Sequence, residues 1–214
     1  MTSIAAAEPR PRVGEVQAAS HPTHGPRATA EAGRFVPGQP DMWAFVLFES
    51  VVFTSYFAVY IIRRTQSPEL FLQSQAELSL PVGVFNTLVL LLSSWSVARC
   101  VQAAREQSFA SASTNALLTM FFAFVFLVSK VREWAVEIGN GYGFTASEFF
   151  SFYYFLTAIH FIHLLIGLIA LGIVVHQLRS PARRSQEMIE TCATYWHTVD
   201  YLWVLIFALL YVMR

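Results

Sequence analysis

The chain has 214 residues, of which 55% are hydrophobic and 13% charged, and its mean hydropathy is +0.49. Soluble domains carry about 25% charged residues, so this composition excludes an ordinary soluble domain and indicates an integral membrane protein. Fourteen basic residues balance fourteen acidic ones, which leaves no electrostatic footprint for nucleic acid.

Residues 1–40 are rich in Ala, Pro, Gly and Arg and contain no apolar run. They read as a disordered polar tail. The missing hydrophobic centre argues against a cleaved signal peptide, and Glu8, Glu15 and Glu31 among the prolines argue against a transit peptide. His21 and His24 read as solvated side chains, not as metal ligands. Five apolar segments follow, at about 42–62, 81–101, 114–134, 149–176 and 193–213. Each is long enough to cross a core of about 30 Å at about 1.5 Å per residue. The predicted fold is therefore all-α, a polytopic antiparallel bundle of five transmembrane helices. RRTQSPEL, residues 103–113, EIGNGYGFTASE and residues 179–191 read as breaks between spans. No internal repeat suggests an inverted-repeat transporter.

Orientation rests on Lys and Arg. With the N-terminus inside, nine basic residues fall on the inner face (Arg10, Arg12, Arg27, Arg34, Arg99, Arg105, Arg179, Arg183 and Arg184). Five fall outside (Arg63, Arg64, Lys130, Arg132 and Arg214), which favours N-inside and C-outside. Cys100 and Cys192 then both lie near the inner, reducing face, and without a CxxC motif they read as structural thiols.

In the first span Glu49 is the single charged side chain of MWAFVLFESVVFTSYFAVYII. A carboxylate at that depth costs on the order of 2.5–3.5 kcal/mol unless it is protonated, paired or beside water. The third span ends FLVSKVREWAVE, where Lys130 and Glu133 stand at i, i+3 and Glu137 follows at i+4. This reads as a charged helix end, with Lys130 snorkelling to the outer interface and neutralising Glu133. The fourth span places His160, His163 and Gly167 on one face, the glycine allowing close approach by a neighbour. The fifth carries His197 and Asp200 at i, i+3, a spacing that permits an intrahelical hydrogen bond. Depths of about 10 Å from the inner end for both Glu49 and Asp200 predict an inner cluster of Glu49, His163, His197 and Asp200, with His160 one turn further out. Trp43, Trp95, Trp134 and Trp196 read as interfacial anchors, Trp203 as the exception. Two haems lack ligands, since helices 1–3 offer no histidine, and a single bis-histidine haem would have to draw on His197. With no cysteine beside the histidines, zinc and copper are also poorly supported.

Taken in order, these segments resemble subunit III of the haem–copper cytochrome c oxidases. FESVVFTSYFAVY is similar to that family's carboxylate-bearing helix, and LPVGVFNTLVLLLSS to its P…NT…LL.S segment. FVFLVSKVREW resembles F…Q..EY, EFFSFYYFLTAIHFIHLLIG resembles FF…TGFHG.HV..G, and E….YWHTVDYLWVLIF resembles the closing E….WHFVDVVWL. The resemblance covers about residues 42–214. It departs from the seven-helix form by lacking two N-terminal helices. Lys130 stands where Gln is usual, Trp134 for Tyr, and Ala158–Ile159 for Gly–Phe. The Lys form and the FYYFLTAIHFIH stretch look closer to the short, five-helix subunit-III-like proteins associated with nitric oxide reductases.

The resemblance implies a non-catalytic subunit of a terminal oxidase in the cell (inner) membrane, with no catalytic residue and no cofactor or metal of its own. Haem and copper would lie in catalytic subunit I, with subunit II a further partner. Lipid would occupy a helix cleft, and the chain would support complex stability and proton uptake. The alternatives are an accessory protein of a nitric oxide reductase system, or a small proton-coupled carrier using Glu49 and the histidines, which needs a water-filled path to Glu49 from both faces.

Overall fold

A computed structural model describes residues 39–180 and 184–213. The predicted tail with His21 and His24, and the charges of Arg183 and Arg214, lie outside these described residues. Six α-helices run in the order α1 (Pro40–Gln66), α2 (Pro68–Glu77), α3 (Leu80–Arg105), α4 (Phe109–Gly139), α5 (Glu148–Arg179) and α6 (Gln186–Phe207). The chain then passes into a π-helical turn, Ala208–Val212. No strand occurs among the described residues. Five of the helices are long and apolar enough to cross a membrane, α2 being the exception.

Small residues set the tightest packing. On α4, Ala112, Ala116, Thr119 and Ala123 form one buried stripe, and α3 meets it with Val89, Ser93, Ser96, Val97 and Cys100. Without large side chains between them, the two helices pack more extensively than any other pair. Beyond Ala123 the same α4 face continues as Phe126, Lys130, Glu133 and Glu137, all buried. One stripe thus changes from small to aromatic to charged along its length.

α6 is the central helix, in contact with α1, α3 and α5. Trp196 and Trp203 are fully buried on it. Trp196 is therefore not an interfacial anchor: its indole N–H donates to Ser93 on α3 at 2.9 Å, deep in the bundle. Gly167 on α5 makes room for that ring, since a Cβ there would lie 2.9 Å from Trp196 Cζ3. α1 is the peripheral helix. Its most apolar window is 11% buried, against 56% for α6. It touches the bundle through aromatic edges, Tyr56 on Phe155 at 4.9 Å and Tyr60 on Phe152 at 5.6 Å between ring centroids.

The segment read as a break after the first span contains α2. Pro68 opens it, Glu69 sits in its first turn, and Phe71, Gln75 and Leu78 make one buried face at helical spacing. At ten residues it is too short for a membrane span, and it caps one end of the bundle. Phe71 lies between Tyr60 and Phe149, and Arg64 donates to Gln75 at 3.0 Å. All five spans run longer than predicted, and two of them start well before the predicted residue. α4 begins at Phe109 because Thr114 and Asn115 bond back to the carbonyls of Ala110 and Ser111. α6 begins at Gln186 because the Ser185 hydroxyl caps it by accepting from Met188 N–H at 3.3 Å.

Candidate functional site

The polar side chains within the spans fall into three sets of contacts. The first joins α1 to α5. Glu49 Oε2 lies 3.5 Å from His163 Nε2, with the two side chains 13% and 16% exposed. His163 Nδ1 lies 2.9 Å from the Ile159 carbonyl. A carbonyl only accepts, so Nδ1 carries the proton of that bond. His163 Nε2 is therefore the ring nitrogen that faces the Glu49 carboxyl. Tyr195 on α6 braces the turn by donating to the His163 carbonyl at 2.9 Å. These groups face a cleft of about 510 Å³ walled by Met42, Phe45, Ile166 and Tyr195.

The second set joins α3 to α6. His197 Nδ1 and the Ser94 hydroxyl share a hydrogen bond of 2.7 Å. His197 therefore turns to α3 and makes no hydrogen bond with Asp200 along its own helix. Asp200 is 5% exposed; Ser94 is the polar group interacting with it, and neither carboxyl oxygen has a well-formed hydrogen bond. His197 also faces a second cleft, of about 480 Å³ between α1, α3 and α6. Arg105 and Glu190 bridge its mouth at 3.0 Å.

The third set centres on Lys130, and it overturns the snorkelling expectation. Lys130 is fully buried because the rings of Tyr153, Trp203 and Tyr211 close over its ammonium. Its ammonium has three N–H donors. They reach Glu133 Oε2 at 3.2 Å, the Tyr153 hydroxyl at 3.2 Å and the Tyr211 hydroxyl at 2.8 Å. Both tyrosines donate in turn to Glu133 Oε1. The result is a closed ring in which every ammonium proton has an acceptor and both carboxylate oxygens have donors. The π turn and Gly83 make room for it. A Cβ on Gly83 would come 2.7 Å from the Tyr211 ring, so glycine is required where α3 passes. His160, placed in sequence beside His163, instead lies between Phe126 and Trp203, with ring centroids at 5.6 and 5.1 Å. Neither of its nitrogens has a hydrogen-bond partner.

Tyr153, Tyr195, Tyr211 and Ser94 were not singled out as site residues from sequence. Tyr153 stands 23 residues from Lys130 and Tyr211 stands 81 away, and Tyr211 reaches the ring from a π turn that helical periodicity does not register. Among the described residues no group of three or more His, Cys, Asp or Glu side chains is placed to hold a metal ion.

Comparison with known proteins gives the chain a family. The family model for cytochrome c oxidase subunit III matches residues 39–214. A cytochrome c oxidase subunit 3 from Synechocystis sp. is 30% identical, over 82% of this chain and 78% of the relative. A cytochrome bo(3) ubiquinol oxidase subunit 3 from Buchnera aphidicola is 26% identical, over 79% of this chain and 83% of that protein. A haem–copper oxidase subunit I+III from Aeropyrum pernix is 27% identical, over 80% of this chain and 22% of its own length. With its five apolar spans and a match over nearly all its described residues, the chain belongs to the cytochrome c oxidase subunit III family.

Proposed function

We propose that this chain is the non-catalytic subunit III of a haem–copper terminal oxidase, lying N-inside in the cell (inner) membrane against catalytic subunit I, with subunit II in the same complex. The observation that carries this reading is the family match from residue 39 to residue 214. The relative in which subunits I and III share one chain supports contact with subunit I, since fusion requires the two parts to be neighbours. Names of cytochrome c and ubiquinol oxidases among the relatives favour an oxygen-reducing partner over a nitric oxide reductase. In this reading haem and copper, held by subunit I, supply the reduction of oxygen.

This chain's own contribution is structural and protonic. Glu49 and His163 stand together beside an open cleft, so neither polar group is left alone among apolar walls. The two clefts beside α1 have apolar walls of a size that suits lipid acyl chains. We infer that lipid there completes the packing that α1 lacks, and that the Glu49–His163 pair supports proton uptake by the neighbouring subunit. Affinity purification of the full chain from native membranes tests the reading, with the co-purifying subunits identified and haem spectra recorded. Subunits I and II are expected with it. For Glu49→Gln the expected result is loss of sustained turnover at unchanged haem content. Isolation of the chain with nitric oxide reductase components, or loss of haem from an assembled Glu49→Gln complex, overturns the proposal.

A further inference from the structure

A third cleft, of about 640 Å³, lies between α3 and α4 at the end of the bundle that α2 caps, and it shares no wall residue with the two clefts beside α1. Val82, Phe85 and Val128 form apolar walls, and Arg132, Glu133 and Glu137 line the same space. Glu137 is the unbalanced group. It is 4% exposed, and its Oε2 has no hydrogen-bond partner. Glu133 and Glu77 both repel it electrostatically, while Lys130 is the cation that attracts it. Yet all three Lys130 donors are engaged by Glu133, Tyr153 and Tyr211. Glu77 is exposed to solvent, so the two buried carboxylates, Glu133 and Glu137, depend on one ammonium whose donors are already engaged. Glu137 Oε2 is left open to a donor from outside the chain, across the cleft that it lines.

Depth and shape narrow its identity. α4 has 31 residues and is about 46 Å long, more than the roughly 30 Å hydrocarbon core, and Glu137 lies two residues from its end. Glu137 therefore stands at headgroup level. A divalent metal ion fits poorly, because it prefers six or more oxygen ligands and both Glu133 oxygens are already occupied. Arg132, exposed on the same helix, offers a cation suited to phosphate. A carboxylate that lacks a donor, an arginine and an apolar slot below them match the ammonium, phosphate and acyl chains of one molecule.

We infer that this cleft seats a phospholipid with a primary-ammonium headgroup, the ammonium at Glu137, the phosphate at Arg132 and the chains along Val82, Phe85 and Val128. The primary ammonium matters because it donates N–H bonds to a carboxylate, which a trimethylated headgroup does not. The inference does not depend on the oxidase reading, since it concerns groups within this chain.

The test uses the full-length chain, purified with whatever subunits accompany it and stripped of lipid in detergent. Dioleoylphosphatidylethanolamine and dioleoylphosphatidylcholine are titrated separately, and bound lipid is counted by native mass spectrometry. For the unaltered protein the ethanolamine lipid should bind at least about tenfold more tightly, the scale of a charge-assisted hydrogen bond. Glu137→Gln should reduce that preference to less than about twofold, and Arg132→Gln should weaken both lipids alike. Equal binding of the two lipids by the unaltered protein overturns the inference without recourse to any variant. So does a preference that survives Glu137→Gln. Release of a protein subunit by Glu137→Gln, with the lipid preference intact, would assign the missing cation to a partner side chain instead.

Discussion

Lys130→Met removes the cation of the ring that joins α4, α5 and the π turn and leaves Glu133 where it is, 6% exposed. Tyr153 and Tyr211 still donate to Oε1, but Oε2 loses its partner and the carboxylate loses its counter-ion. Breaking a buried pair from one side costs about 3–5 kcal/mol. Lys130→Gln keeps two N–H donors, one bond shorter in reach, and should cost less, about 1–2 kcal/mol. The decisive variant is Lys130→Met with Glu133→Gln. Replacing both members of a buried pair is often near neutral, so the double variant should recover to within about 1–2 kcal/mol of the unaltered protein. That implies a coupling of at least about 1 kcal/mol between the two sites, larger by whatever Glu133→Gln costs alone. The assay is unfolding of the purified protein in mixed micelles of increasing sodium dodecyl sulfate. Tryptophan fluorescence is a local reporter there, since Lys130 Nζ lies 5.3 Å from the Trp203 ring. A Lys130→Met variant within about 1 kcal/mol of the parent, or a double variant as unstable as the sum of the singles, would refute the argument that the ring is a charge-balanced unit.

Three further outcomes follow from the packing. Gly167→Ala puts a methyl group 2.9 Å from Trp196 Cζ3 and 3.2 Å from Tyr195 Cε1, so overpacking of about 1–3 kcal/mol should outweigh the helix-propensity gain of up to about 1 kcal/mol. Gly172→Ala, with nothing within 4 Å of its new Cβ, should show the propensity gain alone in the same unfolding assay. Phe71→Ala empties a fully buried site between Tyr60 and Phe149, and about 3–5 kcal/mol should be lost locally. Its readout is faster protease cleavage within residues 67–79 while the spans remain intact.

The five spans were legible because a membrane helix announces itself by length and hydropathy, two properties that tertiary contacts do not alter. The link between Glu49 and the fourth span was approachable for a related reason. A lone carboxyl at that depth demands a partner, and the rise per residue limits the candidates to a few. Which histidine takes which partner was not legible. His163 and His160 stand one turn apart, yet one meets Glu49 and the other an aromatic sandwich, because that choice depends on the rotation of α5 about its own axis. His197 was expected among the acids and instead pairs with Ser94, since α3 approaches α6 closely where Ser93 and Ser94 offer small polar side chains. Lys130 was misplaced for a different reason. Being near the end of a predicted span suggested an interfacial lysine, but α4 continues to Gly139, nine residues beyond Lys130, and puts it well inside the bundle. The short amphipathic α2 had a readable pattern in Phe71, Gln75 and Leu78, hidden by the expectation that a polar connection between spans is a loop.

Glu49 differs from Lys130 in what its contact must accomplish. The Lys130 ring sits among side chains that are all buried, whereas Glu49 belongs to a helix that buries little of its surface. Polar contacts between membrane helices contribute about 0.6 kcal/mol on average and seldom more than about 1.7 kcal/mol. For α1 that small term is a large share of the total. Its real force is negative: if α1 swings away, Glu49 meets hydrocarbon, at about 2.5–3.5 kcal/mol. The two ends of the pair should therefore respond unequally. His163→Leu strands the carboxyl in an apolar cleft and should weaken α1 docking more than Glu49→Leu, which removes the polar group along with its partner's contact. Glu49→Leu with His163→Leu should lie close to the parent. The micelle unfolding assay ranks the four proteins. If Glu49→Leu proves the more damaging single change, the carboxyl acts through contacts other than His163, and the pair is not what holds α1 in place.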